Sequence, residues 1–96
     1  MTTTRTRPTH AEVMLLADLN ALLEGARALR DRARSESMPR TAKQLNDVAR
    51  TLDGARTCLV QDGADYLDAA EAFRDAAERS LLDAACRIGG VVDARP

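Results

Sequence analysis

The chain has 96 residues, of which 45% are hydrophobic and 30% are charged, and its formal net charge is −1 at pH 7. This composition is that of a single folded domain, and it argues against both a disordered chain and a strongly basic nucleic-acid-binding domain. No apolar run approaches the roughly 18 residues of a membrane span, and the N-terminus has no hydrophobic signal stretch, so we expect a cytoplasmic protein without membrane association.

Ala and Leu dominate the apolar residues, with one Tyr, one Phe and no Trp, which favours an all-α fold. Residues 1–8 form a polar, Thr-rich arm that we expect to be disordered. A first helix is predicted to start at Thr9, because Thr9 and Glu12 have the spacing of a capping box, and it is expected to end near Ser35. Its apolar stripe is Leu15, Leu19, Leu22, Ala26, Leu29 and Ala33.

A second helix is predicted from Pro39, whose missing N–H is not needed in a first helical turn. Thr41 and Gln44 have the spacing of a second capping box. Glycine inside a helix costs about 0.5–1 kcal/mol relative to alanine, so we expect any bend or break of this helix between Asp53 and Ala55, at Gly54. The predicted apolar face is Ala42, Leu45, Val48, Ala49, Leu52, Ala55 and Leu59.

A third helix is predicted after a turn at residues 61–63, with Asp65 as its N-cap. Gly89 and Gly90 are expected to end it, because glycine readily adopts the left-handed conformation at helix C-termini. The predicted stripe is Tyr66, Ala70, Phe73, Ala77, Leu81, Ala84 and Ile88. We therefore place a single helical domain at residues 9–88 and a flexible tail at residues 89–96.

Three helices of about 22–27 residues with short connections predict a small antiparallel three-helix bundle running up, down and up. The alternative is a two-helix hairpin that completes its core in a dimer. In an antiparallel pair Cys58 and Cys86 lie far apart along the axis, so we expect free thiols, with an intermolecular bridge as the alternative.

The sharpest feature of the sequence is a stripe of four acids on one face of the third helix, roughly 140° from its apolar stripe. We call it the acidic stripe: Asp68, Glu71, Asp75 and Glu78. One interpretation is a solvated face whose first acids benefit from the helix dipole. The other is a docking surface for a protein with a basic surface, such as a nucleic-acid-binding protein, since spaced carboxylates resemble a nucleic-acid backbone.

A basic patch surrounds the first interhelical turn and contains Arg27, Arg30, Arg34 and Arg40. It is suited to phosphate, but arginines at a helix C-terminus also complement the dipole and no aromatic residue is interleaved for base stacking, so direct nucleic-acid binding is not expected. With one histidine, His10, and no catalytic set of residues, we expect no metal, no cofactor and no enzymatic activity.

In size and helical content the chain resembles the small hairpin proteins of type VII secretion. Their Trp-x-Gly turn is absent, however, and the residue four positions after Tyr66 is Ala70, where the export motif has an acid. The chain is similar to small phage-encoded inhibitors, such as anti-CRISPR proteins, only in being short, single-domain and acidic on one face, which is an analogy without a shared motif. The sequence therefore indicates membership of neither family. We predict a non-enzymatic inhibitor or regulator that docks its acidic stripe on a basic partner. The alternative is a self-assembling helical hairpin with a structural or secretion-related role.

Overall fold

The computed structural model describes residues 8–94, which are helical and contain no strand. Three α-helices follow one another: α1 (His10–Ser35), α2 (Pro39–Asp62) and α3 (Leu67–Asp93), with a short 3₁₀ helix (Gly63–Tyr66) before α3. The all-α prediction is confirmed. None of these helices has the length and apolar character needed to cross a lipid bilayer. Most of the predicted N-terminal arm, residues 1–7, and the last two residues of the predicted tail lie outside the described residues.

Helix α1 begins and ends where its sequence predicts. The Thr9 hydroxyl caps the first turn by accepting a hydrogen bond of 3.2 Å from the backbone N–H of Glu12. At the other end Ser37 adopts a left-handed conformation, with φ of 57°. This lets the Met38 N–H donate to the Ala33 carbonyl at 2.8 Å, and the Ser37 N–H donate to the Arg34 carbonyl at 3.1 Å. The pair of bonds is a Schellman motif, which satisfies two carbonyls at the end of the helix.

Helix α2 begins at Pro39, as predicted, but without a capping box. Met38 occupies the N-cap position and makes no side-chain cap hydrogen bond, so the predicted box of Thr41 and Gln44 is wrong. The reason is packing, because Thr41 lies buried at the third helical position instead of standing before the helix. The helix is continuous through Gly54, which is exposed and has open space around it.

The connection from α2 to α3 also differs from its prediction. Gly63 ends α2 with a φ of 59°, a conformation that glycine adopts without strain. Asp65 lies inside the 3₁₀ helix and not at the N-cap of α3, which begins two residues later at Leu67. The first turn is therefore tightened into a 3₁₀ helix, and Tyr66 precedes α3 without a side-chain cap.

Helix α3 extends one turn beyond its predicted end, because it continues through Gly89 and Gly90 to Asp93. Ile88 is buried and Val92 packs against the core, so tertiary contacts hold this last turn in place. Glycine permits a helix end here but does not impose one.

The core contains sixteen buried apolar residues within the described chain, and half of them are alanine. Only three large side chains, those of Leu19, Leu45 and Leu52, are fully buried. Phe73 was predicted to belong to the apolar stripe of the third helix, but it is 39% exposed. The buried set is Leu15, Leu19, Leu23, Ala26, Ala33, Ala42, Leu45, Ala49, Leu52, Ala55, Leu59, Ala70, Ala77, Leu81, Ala84 and Ile88.

Arginine side chains at the rim of this core join α1 to α2. Arg30 of α1 donates to the Asn46 side chain of α2 at 3.2 Å, and Arg56 of α2 donates to the Asn20 side chain of α1 at 3.1 Å. The two contacts are ten residues apart on each helix and run in opposite directions along the chain. Helices α1 and α2 are therefore antiparallel.

Two further arginines place α3 against both other helices. Arg74 of α3 lies 3.5 Å from the Asp18 carboxylate of α1, and Arg87 of α3 donates to the Gln44 side chain of α2 at 2.9 Å. Leu81 lies beside Gly25, seven residues further along both helices than the Arg74–Asp18 contact. Helix α3 consequently runs parallel to α1 and antiparallel to α2.

The replacement Ser37→Gly is expected to stabilise the fold. A left-handed conformation is costly for a residue with a side chain and free of that cost for glycine, so the free energy of unfolding should rise by about 0.5–1 kcal/mol. Urea denaturation followed by circular dichroism measures it. The control is Ser35→Gly inside α1, which should lower stability. An equal loss of stability in both variants would contradict a left-handed Ser37.

The replacement Gly54→Ala tests the only interior glycine of α2. A methyl group at this position meets no atom within 4 Å, so the change should add about 0.5–1 kcal/mol to the free energy of unfolding through helix propensity alone. The same denaturation experiment reports it as a higher midpoint with an unchanged slope. Gly63→Ala is the matched control and should destabilise, because Gly63 has a positive φ. A destabilising Gly54→Ala would indicate that α2 bends at Gly54 in solution.

Candidate functional site

All four residues of the acidic stripe lie exposed on α3, on the side of the helix turned away from the core. Asp68 is in the first turn of α3, where the partial positive charge of the helix N-terminus stabilises a carboxylate. Glu71, Asp75 and Glu78 come after that turn. The dipole therefore accounts for one acid of the stripe, because its effect fades within the first turn.

Arg74 neutralises part of the acidic stripe. Two of its guanidinium nitrogens lie 3.1 Å from the Asp75 carboxylate. A third contact, at 3.5 Å, joins Arg74 to Asp18 on α1. The hydrogen bond to Asp75 is the main cause of the raised pKa of Arg74, with smaller contributions from the Asp75, Asp18 and Glu78 charges. Asp75 is thus an acid with a partner on its own helix.

Asp18 belongs to the same acidic surface and was missed from the sequence. It is half-exposed on α1 and reaches the stripe only because α3 packs against α1 beside it. The sequence did not predict that Asp18 joins the acidic surface of α3, because an acid beside the apolar stripe is typical of any amphipathic helix. The acidic surface therefore spans two helices.

Glu71 and Glu78 are the acids that remain unexplained by local structure. Within residues 8–94, neither forms an ion pair, and neither is in the first turn of α3. They are seven residues apart, which places them on the same side of the helix and about 10 Å apart along its axis. Asp68 also has no ion pair in this part of the chain. Glu78 is close enough to Arg74 for its charge to help raise the pKa of that arginine, although it makes no ion pair in the described chain. An exposed row of carboxylates that make no ion pair there is a suitable contact for cations on another molecule.

The basic patch is partly neutralised by its own helix. Arg30 and Arg34 both contact Asp31, at 3.3 Å and 3.9 Å, and Arg30 also donates to Asn46. Arg27 and Arg40 are exposed and form no ion pair within the described residues. The patch is therefore less available to phosphate than its sequence indicates.

The remaining reactive side chains do not assemble into a site in the described chain. Cys58 is half-buried and Cys86 is exposed, and both are free thiols. The pKa of the Tyr66 hydroxyl is raised by partial loss of hydration, by the neighbouring Cys58 and by the charge of Asp62. Tyr66 stacks on Phe73 with ring centroids 6.5 Å apart. Among residues 8–94, no group of three or more His, Cys, Asp or Glu residues is placed to hold a metal ion.

Comparisons with protein-family models, with curated proteins and with solved structures find no match to this chain. The functional interpretation consequently depends on the geometry and charge of the described residues. Of these features, Asp68, Glu71 and Glu78 are exposed acids of α3 that form no ion pair in the described chain.

The Arg74–Asp18 contact should be measurable as a coupling free energy between α3 and α1. The variants Arg74→Gln and Asp18→Asn, singly and together, form a double-mutant cycle in urea denaturation. Because both side chains are partly exposed, we expect a coupling of about 0.2–1 kcal/mol that decreases at high salt. Zero coupling at low salt would show that Arg74 serves only its neighbour Asp75.

Proposed function

We propose that this protein is a non-enzymatic protein-binding module, an inhibitor or regulator, that docks the acidic stripe of α3 on the basic surface of a partner protein. The observation that carries the proposal is the exposure of Glu71 and Glu78 without an ion pair in the described chain and beyond the reach of the helix dipole. Like charges at helical spacing cost about 0.2–0.5 kcal/mol per pair, so the helix does not need this row for its own stability.

The proposed partner is a protein whose basic surface normally meets phosphate, such as a nucleic-acid-binding protein. Carboxylates spaced along a rigid helix present negative charges in a row, as a nucleic-acid backbone does, and they accelerate association by attracting the basic surface. Asp18 broadens the row to a second helix and Arg74 holds the two helices together at that point. A cytoplasmic location is part of this proposal.

We also propose that the folded protomer is an antiparallel three-helix bundle. In support, a buried apolar cluster draws residues from α1, α2 and α3, and rim hydrogen bonds link α3 to both other helices. A rigid bundle suits a docking role, because the acidic stripe is then held on an ordered helix before the partner arrives.

The variant Glu71→Lys/Glu78→Lys tests the proposed function. Both side chains are exposed, so helicity and stability should stay close to wild type, while binding of the basic partner should weaken about tenfold or more. Tagged wild type and variant are compared as bait in a native lysate at low and high salt, and proteins that bind wild type alone are identified by mass spectrometry.

The matched control is Glu24→Lys/Asp47→Lys, which makes the same change in net charge with exposed acids of α1 and α2. This control should retain every partner that the wild type captures at low salt. If the two double variants lose the same proteins, the attraction is due to overall charge and docking through α3 is wrong. Partners that persist equally on the Glu71→Lys/Glu78→Lys variant would also contradict the proposal.

A further inference from the structure

The outer face of α3 changes character after the acidic stripe. Leu82 lies one turn beyond Glu78 and is 68% exposed, more than any other large apolar side chain of the described residues. Cys86 is exposed one turn further on. A leucine left in water to this extent contributes little to the fold of its own chain, and the core of α3 is supplied by other residues on the opposite side.

This half of α3 is complementary to itself in the antiparallel direction. Leu82 and Gly90 are each four residues from Cys86, on opposite sides, and Arg79 and Asp93 are each seven residues from it. These spacings place all five residues on the outer side of the helix. Arg79 and Asp93 carry opposite charges and form no ion pair in the described chain.

We propose that this face is the interface of a symmetric homodimer, in which two α3 helices pair antiparallel across a two-fold axis at Cys86. A two-fold axis brings the same surface of both copies together, so each residue meets the one equally far on the other side of the axis. Leu82 then faces the partner's Gly90, where an added methyl group would meet none of the atoms of neighbouring helices and side chains in the described chain within 4 Å. Arg79 faces the partner's Asp93, and this charge pair is formed twice.

Charge selects this register over its neighbours. The overlap ends where Arg79 of one copy meets Asp93 of the other, so the acids at residues 68–75 lie beyond it and meet no like charge of the second helix. An axis at Leu82 instead would oppose Glu71 to the partner's Asp93, a repulsive pairing. Of these two registers, the one centred on Cys86 is the complementary one.

The size of the contact sets its strength. Residues 79–93 span about 21 Å of helix, which buries less surface than the roughly 1,200 Å² of a stable standard interface. The dimer is consequently weak and depends on concentration. It does not rest on the proposed partner binding, because Asp68, Glu71 and Asp75 of both copies lie beyond the overlap and Glu78 lies at its edge. The two Glu71 residues are about 45 Å apart along the helices.

Sedimentation equilibrium of the full chain over a wide concentration range tests the dimer. Wild type should show reversible association, and Leu82→Lys should weaken it at least tenfold without changing the melting temperature. The control Met14→Lys alters a half-exposed apolar residue of α1 and should leave association unchanged. A wild type that stays monomeric at every concentration, or a Leu82→Lys variant that associates as wild type does, overturns the proposal.

A charge exchange tests the register. Arg79→Asp and Asp93→Arg should each weaken the dimer about tenfold, because each replaces two attractive pairs with two repulsive ones. The double variant Arg79→Asp/Asp93→Arg restores both pairs with reversed sign and should recover wild-type association. Failure of the double variant to recover would refute the Arg79–Asp93 pairing.

Proximity of the two Cys86 thiols gives an independent readout. Diamide oxidises two thiols to a disulfide and is itself reduced to the hydrazine, so it traps pairs of cysteines that meet. A Cys58→Ser variant should cross-link rapidly to a dimer, and addition of Leu82→Lys should slow this cross-linking at least tenfold. Equal rates with and without Leu82→Lys would show random collision and contradict an axis at Cys86.

Discussion

The close approach of the three helices through alanine is the constraint on which the other features depend. Half of the buried apolar residues in the described chain are alanine, so the helices pack with small side chains between the seven leucines and Ile88 that make up the other half. A core of this kind buries modest apolar area for each residue, and Leu19, Leu45 and Leu52 are its largest fully buried side chains in the described chain.

Because alanine side chains interlock little, polar contacts at the edge of the core help to fix the register of the helices. The contacts Arg30–Asn46 and Arg56–Asn20 are reciprocal, with an arginine on each helix reaching an amide on the other. Such polar contacts are each worth little in free energy, yet a slip of the helices by one residue would break both together. A further rim arginine, Arg74, determines which acids of α3 are left without an ion pair. Arg74 forms ion pairs with Asp75 and Asp18, and its charge also interacts with that of Glu78. Asp68 and Glu71 form no ion pair in the described chain.

Signals carried by adjacent residues predicted the fold well, and signals that depend on packing did not. Thr9 capped α1 and Pro39 opened α2 as expected, because both act on their own backbone. Thr41 and Asp65 were predicted to be caps from their spacing alone. Thr41 instead lies buried inside α2, and Asp65 lies inside the 3₁₀ helix that precedes α3. For the candidate site, periodicity identified the exposed face of α3, whereas the contact of Asp18 with Arg74 joins residues 56 positions apart and has no local signature.

The outer face of α3 therefore carries two surfaces of different physical kind on one rigid helix. Its N-terminal half displays charge, whose attraction acts over about 10 Å and is weakened by salt. Its C-terminal half displays Leu82, whose hydrophobic attraction to another apolar surface acts only at contact and persists at high salt. Because the antiparallel overlap begins at Arg79, occupation of the apolar half leaves the acidic half accessible. A dimer would present two acidic stripes pointing in opposite directions, and a partner with two basic surfaces would then bind more tightly than the single contact allows, provided that its spacing matches.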